Sequence, residues 1–146
     1  MNDGFVTVLP SAGRLMRSLR DIGYELPSAI ADLVDNSIDA NARRIDITLH
    51  PDGPTSWVRV VDDGLGMSAA RLDEAMRYGS ATNYSTRSLG HFGLGLKTAS
   101  LSQCRRLTVG TRSGAAARVA IRRWDLDVVA RRDSWDLERV SLHFPE

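Results

Sequence analysis

Asp32, Asp35, Asn36 and Asp39 fall within about two helical turns of one another. On a helical wheel they share an arc roughly 100° wide, opposite Ile30, Leu33, Val34 and Ile38. Carboxylates repel, so such crowding is either a solvated face of an ordinary amphipathic helix or a site for a hard cation. Oxygen ligands, an amide among them, suit Mg²⁺. Asp32 and Asn36 stand one turn apart, so one can hold a metal while the other handles a water. A second group is Asp62-Asp63-Gly64-Leu65-Gly66-Met67. Glycines at a strand end let the backbone come close to a ligand, and a carboxylate such as Asp62 can accept the exocyclic amine of an adenine. A plain tight turn would use the same residues. A third group is Gly90, Gly93 and Gly95 ahead of a helix, where backbone N–H groups can bind phosphate. Leu96 between Gly95 and Lys97 excludes a P-loop, and the dinucleotide fingerprint is absent. Lys97 is the only lysine among 19 basic residues, and its place suits a compact ammonium better than a planar guanidinium.

Several elements must position these groups. "FVTVLP" reads as a short strand entering the fold. "SAGRLMRSLRDIG" predicts a helix with Ser11 as its cap and Gly23 as its stop. Pro27 opens a second helix through about Ala40, which carries the acidic arc. "RRIDITLH" and "SWVRVVDDG" predict an antiparallel pair across a "PDGP" turn. "SAARLDEAMRYG" is a Ser-capped helix, residues 79–92 a long loop, and "LGLKTASLSQ" a short helix. "RRLTVGTRSG" and "AAARVAIRRW" predict a hairpin, and "LERVSLHF" a last strand. Helices interleaved with strands in this way predict an α+β two-layer sandwich.

A chain of 146 residues with 42% hydrophobic and 25% charged content suits one soluble domain, here residues 1–146. A net charge of +1 does not support electrostatic nucleic-acid binding. No apolar run is long enough to span a bilayer, and the N-terminus has no signal-peptide pattern. With Cys104 alone, no internal disulfide can form, which fits a cytoplasmic protein.

Taken in order, the acidic helix, the D-x-G-x-G corner and the G-x-x-G-x-G-x-K segment resemble the three boxes of the GHKL ATPases. That superfamily includes type II topoisomerase ATPase subunits, ninety-kilodalton heat-shock chaperones, sensor histidine kinases, MutL-type repair proteins and MORC proteins. "ADLVDNSIDANA" resembles the N-box, "DDGLGM" the first glycine box and "GHFGLGLK" the second. The MutL, MORC and heat-shock branch is the most similar.

The resemblance implies a Bergerat ATP-binding fold, with helices on one face of a mixed, mainly antiparallel sheet. It implies ATP and Mg²⁺ as cofactors, with Asn36 as the metal ligand. Asp62 would receive the adenine amine, with Gly64, Gly66, Met67 and the small Ala40 beside the nucleotide. Gly90, Gly93 and Gly95 would present N–H groups to the phosphates. Lys97 would add charge there unless the helix aims it elsewhere. Residues 79–92 resemble the ATP lid.

The chain departs from that pattern in two ways. Hydrolysing members carry Glu one turn before the asparagine, where this chain has the shorter Asp32 as candidate general base. Members also continue with a Gly-Thr strand and a transducer domain, whereas here Gly110-Thr111 sits early and the chain ends at "VSLHFPE", which predicts a fragment truncated at the C-terminus relative to the family or a minimal version lacking part of the sheet. The readings that follow are a slow ATPase driving a lid or clamp, a nucleotide sensor without turnover, or a kinase-type domain acting on a partner histidine. A protein partner or homodimer would be engaged through regions outside this chain.

Overall fold

The structure, a computed structural model, describes residues 4–79 and 95–141. Helix α1 (Ala12–Arg20) starts where Ser11 leaves the extended chain, its Oγ accepting the Arg14 N–H at 3.3 Å. Ser11 Oγ also donates to Asp133 Oδ1 at 2.7 Å, and the Gly13 N–H donates to the same oxygen at 3.1 Å. Asp133 sits at the end of helix α5 (Leu126–Arg132), so these bonds pin the start of α1 to it. They hold the Asp133 carboxyl below its ordinary range, the Ser11 hydroxyl first among the causes.

Helix α2 (Leu26–Asp39) carries Pro27 in its first turn, where a missing N–H costs nothing. Its end is built by Asn41, which adopts the left-handed conformation at φ 58°. The Asn41 N–H then bonds Ile38 O at 2.9 Å and the Ala42 N–H bonds Ser37 O at 3.0 Å. This pair of backward bonds terminates the helix and turns the chain into β1. The packed stripe of α2 is centred on small residues, since Ala29 and Ser37 are buried whereas Ile38 stays half exposed. The apolar arc expected through Ile30, Leu33, Val34 and Ile38 is therefore rotated, because small side chains let a neighbour come closest.

Strands β1 (Ile45–His50) and β2 (Trp57–Asp62) pair antiparallel, with Ile45 opposite Asp62 and His50 opposite Trp57. Helix α3 (Ala69–Ala75) is capped by Ser68, whose Oγ accepts from the Arg71 N–H at 3.3 Å. A π turn over Gly95–Ala99 runs into α4 (Ser100–Gln103). Strands β3 (Arg106–Thr111) and β4 (Ala120–Asp125) form the expected antiparallel hairpin, and β5 (Glu138–Arg139) pairs with β4. No helix is long and apolar enough to cross a membrane among the described residues.

The core gathers Ala12, Met16, Leu72, Met76, Leu101, Trp124 and Val129, drawn from α1, from α3 and its end, and from α4, β4 and α5. Helices with antiparallel sheets make this an α+β fold, as the sequence predicts. Among the described residues the strands form two separate sheets, β1-β2 and β3-β4-β5, with every pairing antiparallel. No parallel pair of the expected mixed sheet occurs among them.

Three expectations need correction. "FVTVLP" is no strand: its residues pair with no strand among the described residues, and Phe5 and Leu9 are 90% and 80% exposed. Helix α5 was unforeseen. Val128 and Val129 hide its period, but Asp125 Oδ1 caps it by accepting from Asp127 N at 3.0 Å and Val128 N at 3.3 Å. The last strand is limited to Glu138–Arg139 among the described residues.

Leu72→Ala, at a fully buried position, is expected to cost about 2–5 kcal/mol in urea unfolding. Phe5→Ala is expected to stay within about 0.5 kcal/mol. Equal effects would show that the core has been misplaced.

Candidate functional site

The C-terminal end of α2 and the corner after β2 are built against each other. Leu65 N–H donates to Ala40 O at 2.9 Å. A Cβ on Gly64 would stand 2.8 Å from Ala40 O and 2.9 Å from Ala40 Cβ, so both positions must be small. Gly66 is tighter still: it adopts φ +64°, and a Cβ there would stand 2.0 Å from Arg112 O. Met67 N–H then donates to Thr111 Oγ1 at 2.9 Å. The atoms that forbid side chains at Gly64 and Gly66 thus belong to the protein, whereas sequence reasoning assigned that room to a ligand.

The adjacent aspartates divide the work. Asp63 Oδ1 accepts from Arg43 N at 2.7 Å and Arg44 N at 2.9 Å. These backbone donors, Arg44 first, hold its carboxyl below the ordinary range and tie the α2–β1 turn to the end of β2. Asp62 instead stands at the cleft. Its Oδ1 accepts from Gly64 N at 2.9 Å, and its Oδ2 accepts from Ser37 Oγ at 3.1 Å. Ser37, buried on α2, has a single hydroxyl proton, shared between that oxygen and Leu33 O, also at 3.1 Å. Ser37 and Thr111 both shape the site; sequence reasoning passed over Ser37 and set Gly110-Thr111 aside as too early in the chain for the family's Gly-Thr strand. Ser37 lies inside the acidic motif, one residue after Asn36, and Thr111 in the Gly-Thr pair of β3.

The cleft between α2, the corner and β3 brings together Asp32, Asn36, Ala40, Asp62, Gly64, Gly66 and Met67. Asn36 is exposed and Asp32 half-buried. Tyr24, also on the cleft wall, has its phenol held above the usual range, first by a hydrogen bond to Asp32. No group of three His, Cys, Asp or Glu side chains gathers as a metal cage among the described residues. Asn36 offers an amide oxygen that could hold a magnesium ion, whose shell is commonly completed by phosphate oxygens and waters. The exposed amide at the cleft fits such a role.

Gly90 and Gly93 lie outside the described residues, and Gly95 opens the π turn. Lys97 is not brought to the cleft wall. It is 1% exposed, and its Nζ donates to Ala75 O at 2.7 Å, 6.0 Å from the Tyr78 ring centre. Beside it the Trp124 Nε1–H donates to Met76 O at 2.9 Å. Both carbonyls at the end of α3 are thus bonded by buried side chains, a favoured place for a cation. The π turn rotates Lys97 toward α3, and this corrects its expected place beside the phosphates.

A carboxylate fixed at a glycine corner, facing an acidic helix with one amide, defines a nucleotide-binding α+β domain. The chain belongs to the histidine kinase-, DNA gyrase B- and HSP90-like ATPase family, whose pattern matches residues 24–145. It is 35% identical over 85 residues to the ATPase morc-1 of Caenorhabditis elegans, covering 58% of this chain and 10% of that protein. It is 34% identical over 113 residues to the DNA mismatch repair protein MutL of Pseudomonas putida, covering 73% of this chain and 17% of that one. With MutL of Rhodospirillum rubrum it shares 51% over 49 residues, 34% of this chain and 8% of that protein. The chain therefore spans less than a fifth of the length of these relatives.

Gly66→Ala is expected to destabilise the fold by about 1–3 kcal/mol or more, through the left-handed φ and the Arg112 clash. Gly23→Ala, at φ +87° with open space around it, separates the two causes; equal losses in chemical denaturation would refute the clash. Lys97 gives a pH signature. Burial lowers its pKa to about 8 from 10.5, against the opposing charge of Glu74. Between those values the unfolded chain holds a proton that the folded chain has released, so stability rises with pH. The penalty is fully present below the folded pKa and is relieved as pH climbs through the window. Tyr78, its pKa raised by burial, acts only above its ordinary value of 10. Wild type compared with Lys97→Met in urea at several pH values should gain stability across that window. A flat difference would disprove the buried ammonium.

Proposed function

We propose that this chain binds ATP with Mg²⁺ in the α2 cleft and hydrolyses it slowly, driving a lid or clamp switch in the cytoplasm. ATP binding follows from the family; the residue roles, the metal and the switch are our reading. The observation that carries it is the Asp62 carboxylate, held by Ser37 and Gly64 in the same cleft as Asp32 and Asn36. Both oxygens are oriented while the group stays open to solvent, which suits it to accept an adenine amine.

In this reading Asn36 holds the magnesium ion, which when bound neutralises phosphate charge. Asp32 takes the proton of the attacking water. Ala40, Gly64, Gly66 and Met67 wall the base, and Gly90, Gly93 and Gly95 face the phosphates. Residues 1–146 act as one ATP-binding domain. A homodimer or protein partner is engaged through regions outside this chain, in keeping with the small share of the relatives that it spans.

A second reading, nucleotide sensing without turnover, draws support from Tyr24. Its phenol is held above the usual range first by Asp32, so it stands where it would compete for the oxygen that a water would need. Single-turnover hydrolysis at saturating ATP separates the two. Asp32→Asn should keep binding and lose about 10²–10⁴-fold in rate, and Asn36→Ala should lose Mg²⁺-dependent affinity in calorimetry. If wild type and Asp32→Asn hydrolyse equally fast, Asp32 is not the base; if neither turns over while both bind, the sensing reading holds.

A further inference from the structure

Hydroxyls on the helices of this protein usually return to their own backbone. Ser18 Oγ donates to Arg14 O at 3.1 Å, Ser37 Oγ to Leu33 O at 3.1 Å and Ser102 Oγ to Ala99 O at 2.7 Å. Thr98 and Ser100 break this habit. Thr98 is 7% exposed, and neither its Oγ1 nor the buried Ser100 Oγ has a hydrogen-bond partner among the described residues. Thr98 lies in the π turn Gly95–Ala99 and Ser100 just after it, where the winding departs from that of an ordinary α-helix. Burying such a group unpaired is unfavourable, so the arrangement persists at a cost that a ligand can remove.

Both residues line the cleft that holds Asp32 and Asn36. Helix α2 packs directly against the π turn, so the hydroxyls stand on the wall next to the acidic helix. The carboxylates of that helix can only accept hydrogen bonds. A ligand rich in acceptor oxygens needs donors, and these two hydroxyls are donors without a partner among the described residues. The turn also follows directly on Gly95, at the end of the second glycine segment.

We propose that Thr98, seconded by Ser100, donates a hydrogen bond to a phosphate oxygen of the bound nucleotide. This rests on the nucleotide reading above and names a contact made by side chains, in addition to backbone N–H groups. Thr98 is thereby a specificity residue for the polyphosphate, selecting a longer phosphate chain over a shorter one.

The test uses Thr98→Val, which keeps shape and removes the hydroxyl, with Thr98→Ser as the conservative control. Without nucleotide, Thr98→Val should melt at the wild-type temperature or higher, because no internal bond is lost. By calorimetry it should bind a non-hydrolysable Mg²⁺-ATP analogue about tenfold more weakly, with AMP affinity unchanged and Thr98→Ser close to wild type. Unchanged affinity for the analogue overturns the assignment and points to a hydroxyl satisfied by water. So does an equal loss for AMP and the analogue. A wild-type protein that binds neither nucleotide overturns the nucleotide reading itself, and this contact with it.

Discussion

The site depends on one close approach of backbone to backbone. The chain leaving β2 must pass within a hydrogen bond of Ala40 at the end of α2 and then beneath Arg112 at the end of β3. Gly64 and Gly66 permit it, because a Cβ at either position would collide with atoms of this same protein. The Asn41 turn, which stops α2 and presents the Ala40 carbonyl, belongs to the same arrangement. Through it the helix bearing Asp32 and Asn36 and the strand bearing Asp62 share one cleft. The glycine corner is thus first a packing device and only second a place for a ligand.

Polar groups are distributed unevenly around that frame. In the core they are matched, since Lys97 and Trp124 bond the last carbonyls of α3. On the cleft side they are oriented but left open, as with Asp62, or buried without a partner among the described residues, as with Thr98 and Ser100.

The relatives agree with this division. The family pattern begins at Tyr24, just before α2, and leaves α1 outside it. The matched region contains the cleft-forming elements α2, β2 and β3. Among the relatives are a MORC ATPase and MutL proteins, the branch that the acidic motif and glycine boxes suggest. Helix α1 is instead held by its own bonds to Asp133 and by Ala12 and Met16 in the core.

Local chemistry alone determined the acidic helix, both hairpins, the Ser caps at Ser11 and Ser68 and the order of the three motifs. Each depends on residues close in sequence: a wheel of carboxylates, a proline in a first turn, alternation on a strand. The grouping of Asp32, Asn36 and Asp62 could be read from the resemblance, since the motif order carries it. What required the tertiary structure was every choice between equivalent local possibilities. Lys97 follows a glycine box and so looked like a phosphate ligand, but the π turn rotates it onto the carbonyl of Ala75, a partner 22 residues earlier. "FVTVLP" alternates like a strand, but no edge receives it. Ser37 looked like a spacer in the acidic motif until Asp62, 25 residues away, met its hydroxyl. Sequence spacing states which side chains can share a face; which partner each one meets depends on distant backbone, and only the folded chain brings that backbone into contact.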